Sequence, residues 1–228
     1  MKSTAHGEHL VKLTRLGAVN CFLVREDDGF TLIDTGLPGS SKGILSATDE
    51  AGAHIVRIAL THAHGDHVGS VAALTEDLPE AEVLISARDA RFLKGDKSLD
   101  PGEPAAKLRG SYPTVHLEPT RLLSPGDRIG SLEVVSSPGH TPGHVSFLDT
   151  RNRTLIAGDA FQTLGGVAVA GTIRPLFPLP ALGTWHRPTA LESARRLRQL
   201  DPARLTVGHG RVLESPGSAL DEAIAAAA

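Results

Sequence analysis

The sequence predicts an α/β protein in which helices pack on the outside of stacked β-sheets. Short apolar runs of strand-like composition recur along the chain, and helix-like segments lie between them. Glycine and proline supply 24 and 15 of the 228 residues and fall mostly between the apolar runs, which is typical of an ordered protein with many short turns. Each apolar face must be buried against another element, so the elements are expected to form layers.

Eight runs of four to six residues, most of them rich in Val, Ile and Leu, are predicted to be strands. The first two are separated by the polar segment 26–29, Glu-Asp-Asp-Gly, which predicts a β-hairpin. The predicted strands are Asn20–Arg25, Phe30–Asp34, Val56–Leu60, Glu82–Ser86, Leu132–Ser136, Val145–Asp149, Thr154–Ala157 and Arg204–Val207.

Five segments are predicted to be helices, because apolar residues recur at helical spacing and Ser or Pro stands near several starts. Two long stretches, Lys94–Thr114 and Phe161–Arg187, contain no predicted element, and long loops of this kind commonly cover or line a binding site. The predicted helices are Ser40–Ala51, Asp66–Thr75, Ser86–Leu93, Pro188–Leu200 and Ser215–Ala228.

Composition and charge narrow the range of partners. The net charge is −3 and no dense Lys/Arg cluster is present, so nucleic acid is not an expected partner. No segment is apolar enough to cross a bilayer or to act as a signal peptide, and Cys21 is the only cysteine. We therefore expect a cytoplasmic protein with a small-molecule substrate and no membrane partner. The oligomeric state stays open, a dimer included.

The segment His62–His67 holds three histidines and one aspartate between an apolar run and a helix-like pattern. Side chains alternate along an extended strand, so His62 and His64 are expected to point the same way. Asp66 and His67 are expected to enter the helix start and face the same cavity. A polar turn with Asp66 as helix cap explains the aspartate but not the three histidines, whereas imidazole and carboxylate are both zinc ligands.

Three further candidate ligands lie far along the chain. Paired metal ions about 3.5–4 Å apart need more ligands than one short turn supplies. His140 follows a predicted strand in a Pro-Gly-His-Thr-Pro-Gly-His turn, and Asp159 and His209 each follow a strand and a glycine. Each residue alone is weak evidence for a metal site. Together, ligands at the ends of several strands would form a rigid site on one edge of a sheet.

Together these motifs resemble those of the metallo-β-lactamase superfamily. The resemblance spans residues 32–210 and implies one metallo-β-lactamase-like domain over residues 1–228, with a four-layer αββα sandwich. The motifs that carry it are, in order, Leu32–Gly36, His62–His67, Pro138–His144, Gly158–Asp159 and Gly208–Gly210.

The resemblance also implies a ligand set and a reaction. Two Zn²⁺ ions are the expected cofactors, with Fe, Mn, Co and Ni as alternatives for the same ligand types. A hydroxide between the metals is the expected nucleophile, since coordination lowers the pKa of water. The implied ligands are His62, His64 and His140 for the first metal, Asp66, His67 and His209 for the second, and Asp159 between the two.

The expected activity is hydrolysis of a small ester, lactone or thioester, with Asp66 as the catalytic proton shuttle. The alternatives are a mononuclear iron persulfide dioxygenase-like enzyme, a β-lactam-hydrolysing member and a non-catalytic metal-binding member. True β-lactamases lack an aspartate equivalent to Asp159. Glyoxalase II resembles this chain in its ligands but carries a helical C-terminal region. The lactonases of the family carry a tyrosine at the place of Gln162, and whether Tyr112 takes that role stays open.

Other residues are assigned supporting roles. Asp34 and His144 are expected to hydrogen-bond the metal ligands rather than to bind metal. Apolar residues of Phe161–Arg187, Trp185 among them, are expected to form one wall of a hydrophobic substrate pocket, with packing against the scaffold or a dimer partner as the alternative. Cys21 is expected to be a buried small apolar residue rather than a reactive thiol.

Overall fold

The computed structural model describes residues 1–228, and the chain divides into two compact units. The first unit contains Met1–Gly95 and Tyr112–Leu123, and the second contains Asp96–Ser111 and Ser124–Ala228. Each unit has one main β-sheet and three helices, which is the α/β content that the sequence predicts. A single domain over residues 1–228 stays a prediction.

The sheet of the first unit has seven strands, and their order in the sheet follows their order in the chain. The first four strands are antiparallel, and the last four pair in parallel. The strands are β1 (Lys2–His6), β2 (Leu10–Arg15), β3 (Val19–Glu26), β4 (Gly29–Ile33), β5 (Ile55–Ala59), β6 (Glu82–Ser86) and β7 (Arg121–Leu123).

The predicted hairpin is confirmed, and its strands form the centre of this sheet. Glu26 pairs with Gly29, so Asp27 and Asp28 make a two-residue turn. All five residues of β4 are buried, as expected for a strand covered on both faces. Cys21 in β3 is fully buried, which confirms its expected packing role. The polar strand β1 was not predicted, because this largely exposed strand at the sheet edge carries no apolar run.

Three helices belong to the first unit. The first and third agree with the predictions for Ser40–Ala51 and Ser86–Leu93, and the Ser86 side chain accepts a hydrogen bond from the Asp89 amide at the start of the third helix. The helices are α1 (Ser41–Glu50), α2 (Val71–Asp77) and α3 (Ala87–Leu93).

The prediction of a helix over Asp66–Thr75 is wrong at its start. The helix begins at Val71, and the preceding residues form turns. The amides of Gly69 and Ser70 donate to a loop at residues 35–36, at 3.0 and 3.2 Å, instead of to carbonyls within a helix. The candidate ligands at the start of this segment, Asp66 and His67, are therefore placed by a turn tied to that loop.

The main sheet of the second unit has six strands in the order β15-β14-β11-β10-β9-β8, and only β11 and β14 are parallel. Two short strands, β12 and β13, form a separate sheet. The strands are β8 (Arg128–Ile129), β9 (Leu132–Ser136), β10 (Val145–Asp149), β11 (Thr154–Ile156), β12 (Phe161–Gln162), β13 (Ala168–Val169), β14 (Arg204–Thr206) and β15 (Leu213–Glu214).

The second unit contains α4 (Leu179–Gly183), α5 (Arg187–Gln199) and α6 (Gly217–Ala227), and the predictions for the last two helices are confirmed within a few residues. The stretch Phe161–Arg187 is not structureless, since it carries β12, β13 and α4, whereas Lys94–Thr114 has no helix or strand. None of the six helices has the length and apolar character required to cross a bilayer. The cytoplasmic location stays a prediction.

Candidate metal centre

The turn after β5 gathers the histidines of the first unit. His62, His64 and His67 are at most 4% exposed. The ring centroid of His62 lies 4.8 Å from that of His64 and 4.1 Å from that of His67, and the ligand atoms in each of these two pairs lie within 4.8 Å of one another. The alternation expected for an extended segment is therefore confirmed, because His62 and His64 present their rings to the same place.

Asp34, at the end of β4, orients two of these rings. Its Oδ2 lies 2.8 Å from His67 Nδ1 and accepts a 2.8 Å hydrogen bond from Thr61 Oγ1. Thr61 has one hydroxyl hydrogen and gives it to the carboxylate, so it accepts from His62 Nδ1 at 2.9 Å. In this network both imidazoles carry their hydrogen on Nδ1, which leaves the Nε2 lone pairs available for a metal ion. The supporting role predicted for Asp34 matches this geometry.

Asp66 is the accessible member of the turn. Its side chain is 35% exposed, and Oδ2 lies 3.9 Å from Nε2 of His67. A carboxylate that borders a buried imidazole and still reaches solvent is suited both to metal binding and to proton exchange.

Two residues outside the recognised motifs also contact this turn. The amide of Ala63 donates to Oδ2 of Asp89, which is fully buried, at 3.0 Å. The ring of Tyr112 packs edge-on against His64, with 4.6 Å between the centroids. The sequence does not predict a role for Asp89, because an acidic residue in the first turn of a helix such as α3 is ordinary. Tyr112 lies in the stretch Lys94–Thr114, for which the sequence predicts no element, so its contact with His64 is visible only in the fold.

The ligand candidates of the second unit surround one carboxylate. Oδ2 of Asp159 lies 3.3 Å from Nε2 of His140 and 3.2 Å from Nε2 of His209. All three side chains are at most 3% exposed. Residues from three different connections, after β9, β11 and β14, are thus brought to one point.

The hydrogen bonds of His140 show that this cluster fits a cation. Thr184 donates its hydroxyl to Pro180 O at 2.8 Å, so it accepts from His140 Nδ1 at 3.1 Å. The Nε2 lone pair of the neutral ring is then turned toward the carboxylate of Asp159. Two electron-rich atoms at 3.3 Å repel each other unless a proton or a metal cation lies between them.

His144 supports Asp159 from the side of its backbone. Its Nε2 accepts a 3.0 Å hydrogen bond from the Asp159 amide, so Nδ1 carries the hydrogen and donates to Ser137 Oγ at 2.8 Å. Both ring nitrogens are thus engaged with the protein. This geometry matches the prediction that His144 supports the ligands rather than binds metal.

Two glycines allow the ligand loops to pass close to other segments. Gly139 has φ +133°, and a Cβ there would lie 2.3 Å from the backbone of Ala190 in α5. Gly210 has φ +121°, and a Cβ there would lie 2.3 Å from Thr163 Oγ1. Because each glycine adjoins a candidate ligand in the chain, larger residues at these positions would displace His140 or His209.

The stretch Phe161–Arg187 divides into a packed part and an exposed part. Trp185 is 5% exposed and its Nε1 donates to Ala106 O at 3.1 Å, so this residue packs against the scaffold rather than lining an open wall. The ring of Phe177 lies 5.3 Å from that of His209, and its carbonyl accepts from Gln162 Nε2 at 3.3 Å. The large apolar side chains left exposed are Ile173, Leu176, Leu179 and Leu182.

The seven predicted ligands therefore fall into two clusters, one in each unit. The turn of the first unit brings four of them together, and the second unit brings the other three together around one carboxylate. The clusters are His62, His64, Asp66 and His67 in the first unit and His140, Asp159 and His209 in the second.

Comparison with known proteins assigns the chain to a family. Residues 14–209 match the sequence model of the metallo-beta-lactamase superfamily. The chain is 51% identical over 207 residues to YobT of Bacillus subtilis (strain 168), covering 90% of this chain and 89% of that protein. It is 31% identical over 208 residues to the probable metallo-hydrolase YflN of the same organism, covering 82% of this chain and 78% of that protein.

A solved structure is similar to this chain in both fold and sequence. TTHA1623, crystallised in a di-iron-bound form, is similar with a TM-score of 0.67 and 30% sequence identity, over 93% of this chain and 97% of that one. The family match covers both ligand clusters and the loop that carries Asp34. The chain belongs to the metallo-beta-lactamase superfamily, has its α/β fold, and is a metal-dependent hydrolase.

Proposed function

We propose that the two ligand clusters act together to bind two divalent metal ions, and that the enzyme hydrolyses a small ester, lactone or thioester. The orientation of the buried imidazoles is the observation that carries this proposal. His62, His67 and His140 each engage Nδ1 with an oxygen of the protein, which leaves Nε2 as the metal donor. Asp66, Asp159, His64 and His209 complete the donor set.

Zinc is the metal that we propose, since it binds both the nitrogen of imidazole and the oxygen of carboxylate well. The di-iron-bound form of TTHA1623 supports a site for two ions and makes iron the first alternative. Manganese, cobalt and nickel accept the same donors.

The side chains around the metal ions have separate roles in the proposed hydrolysis. Bound divalent cations would lower the pKa of water towards neutrality and stabilise negative charge on a carbonyl oxygen. Asp66 accepts the proton that is released and passes it to the leaving oxygen or sulfur, because its carboxylate is partly exposed while the neighbouring histidines are buried. Asp34 and His144 hold ligands in place and take no part in the proton transfer.

A buried phenol does not take the role of a substrate-binding tyrosine. The hydroxyl of Tyr112 is completely buried, so no direct route from solvent leads to it. We therefore propose hydrolysis without help from a tyrosine. Hydrolysis of a lactone or ester then depends on the metal ions and Asp66 alone.

The exposed leucines support an apolar substrate. Phe177 contacts His209 through its ring, and the adjacent Leu176 is 85% exposed. An aliphatic acyl group bound beside the metal centre would cover such side chains, and burial of each methylene contributes about 0.8 kcal/mol. This modifies the predicted pocket wall, since Leu176, Leu179 and Leu182 replace Trp185 as its candidates.

Metal analysis followed by a substrate panel tests the proposal. Protein saturated with zinc and then desalted is expected to retain two equivalents per chain and to hydrolyse at least one member of a panel of lactones, thioesters and aryl esters. One equivalent of iron with oxygen consumption on a persulfide would support the dioxygenase interpretation instead. Turnover confined to β-lactams would support the β-lactamase interpretation.

A further inference from the structure

Helix α3 holds the metal-binding turn of the first unit through a contact that none of the superfamily motifs contains. The carboxylate of Asp89, in the first turn of α3, accepts the amide of Ala63 at 3.0 Å. Ala63 lies between His62 and His64, so this bond fixes the peptide that joins two ligands. Asp89 itself is fully buried, and its amide is capped by Ser86 Oγ at 3.1 Å.

The same helix supports the ring of His64 through an aromatic pair. Phe92 of α3 packs against Tyr112 with 4.6 Å between ring centroids, and Tyr112 packs against His64 at the same distance with an interplanar angle of 69°. Tyr112 is 8% exposed. An imidazole that is covered on one side by a fixed ring loses freedom about χ1 and χ2, so it meets a metal ion with less loss of entropy.

The hydroxyl of Tyr112 is completely buried. Burial raises the pKa of its hydroxyl well above the usual range, and the charge of Asp89 adds to the increase. What Tyr112 offers to the site is therefore its shape and its place beside His64.

We propose that Tyr112 and Asp89 are positioning residues, which fix the imidazole of His64 and the peptide of Ala63 in the geometry required for metal binding. The proposal rests on the metal-binding function proposed above. It adds a second support to the one from Asp34, which acts on His62 and His67.

Zinc affinity of the full-length protein tests the proposal, by competition with a chromophoric chelator. Tyr112→Leu is expected to bind zinc about 10–100-fold more weakly, as found when outer partners of metal ligands are removed. Tyr112→Phe keeps the ring and is expected to restore affinity close to wild type. Phe30→Leu removes an equally large buried ring elsewhere in the first unit and is the control for a general loss of packing.

A second pair of variants covers the case in which Tyr112→Leu does not fold. Asp89→Ala removes the acceptor of the Ala63 amide and is expected to weaken zinc binding, whereas Asp89→Asn keeps an acceptor oxygen and is expected to retain most of it. The Co²⁺-substituted protein should show altered d–d absorption in the weakened variants only.

The outcomes separate this proposal from the one on which it rests. Wild-type protein that binds no zinc would overturn both proposals. Wild-type protein that binds zinc, with Tyr112→Leu or Asp89→Ala binding equally tightly, would overturn the positioning role alone. Equal losses in Tyr112→Leu and Phe30→Leu would also overturn it, because the effect would then be one of general packing.

Discussion

Oδ2 of Asp34 lies 2.8 Å from Nδ1 of His67, and both side chains are at most 2% exposed. Asp34 has φ +60°, a left-handed backbone conformation that is unusual for a residue other than glycine. Such a conformation costs free energy and persists only where the surrounding structure requires it. In this protein it directs one carboxylate toward Thr61 and His67, which orients two candidate metal ligands at once.

Replacement of Asp34 should therefore affect metal binding more than folding. Asn tolerates the left-handed conformation and still accepts the Thr61 amide, so Asp34→Asn keeps the backbone while it removes the charge. We expect zinc affinity to fall by about 10–100-fold in a chelator competition assay. The exposed variant Asp49→Asn is the control. Unchanged affinity in Asp34→Asn would show that the carboxylate charge does not tune the ligands.

Asp66→Asn separates proton transfer from substrate binding. The amide cannot accept the proton, so kcat is expected to fall by about 10²–10⁴-fold while KM changes little. Steady-state kinetics on the best substrate of the panel, with zinc content measured for both proteins, gives the comparison. A kcat within severalfold of wild type at full zinc content would remove Asp66 from the mechanism.

Gly139→Ala tests whether the ligand loop needs its close approach to α5. A Cβ at Gly139 would overlap the backbone of Ala190, whereas one at Gly126, which also has positive φ, would meet nothing within 4 Å. Both variants carry strain from a positive φ, and only Gly139→Ala adds the overlap with Ala190. We expect Gly139→Ala to be less stable than Gly126→Ala by about 1–3 kcal/mol in urea unfolding. Equal stability would mean that the loop moves away freely.

The sequence predicts the central elements well because their patterns are local. The apolar composition of β3 and β4 defines strands, and the polar turn between them defines the hairpin. The helix over Asp66–Thr75 fails for the opposite reason. Its apolar spacing is helical, but the amides of Gly69 and Ser70 donate to Gly36 and Thr35, 33 and 35 residues earlier in the chain. No local sequence pattern predicts such a contact.

The candidate site divides in the same way. His62 and His64 are predicted from one short segment, since the alternation of an extended chain is enough to place them. Asp89 and Tyr112 are not predicted as contacts of this segment, because 26 residues separate Asp89 from Ala63 and only the pairing of β5 with β6 brings α3 beside the turn. Trp185 is a residue that the sequence places in the wall of a substrate pocket but that the structure packs against the backbone of Ala106.

The exposed leucines should set the preference for acyl length. The triple variant Leu176→Ser, Leu179→Ser and Leu182→Ser removes apolar surface without disturbing the core, because each side chain is at least 52% exposed. We expect the ratio of kcat/KM for an octanoyl ester over an acetyl ester to fall by about fivefold or more, which corresponds to the loss of about one buried methylene or two. Steady-state assays with the same leaving group measure this ratio.

Leu16→Ser is the matched control for the triple variant, since Leu16 is 82% exposed and lies in the first unit. Its ratio should equal that of wild type. If the triple variant also keeps the wild-type ratio, the leucines do not bind the acyl group and another function must be sought for this surface.

Cys21 should make the stability of the fold fall at alkaline pH. Burial, with a further contribution from the charge of Asp34, raises the pKa of the Cys21 thiol far above that of an exposed cysteine. Below about pH 8.5 the thiol is neutral in both states, so it has no effect on the pH dependence. Above that pH the unfolded chain releases the proton and the folded chain does not, so unfolding becomes more favourable by about 1.4 kcal/mol for each pH unit.

Cys21→Ala removes this titration and is therefore expected to flatten the decline, although the smaller side chain lowers stability at every pH. Urea unfolding of both proteins between about pH 7.5 and about pH 9.5 keeps below the range in which Tyr112 would add a similar effect. Parallel curves for the two proteins would show that the thiol is accessible to ionisation in the folded state. A slow reaction of the native wild type with a thiol reagent, and a fast one in urea, is the independent check on the burial that raises this pKa.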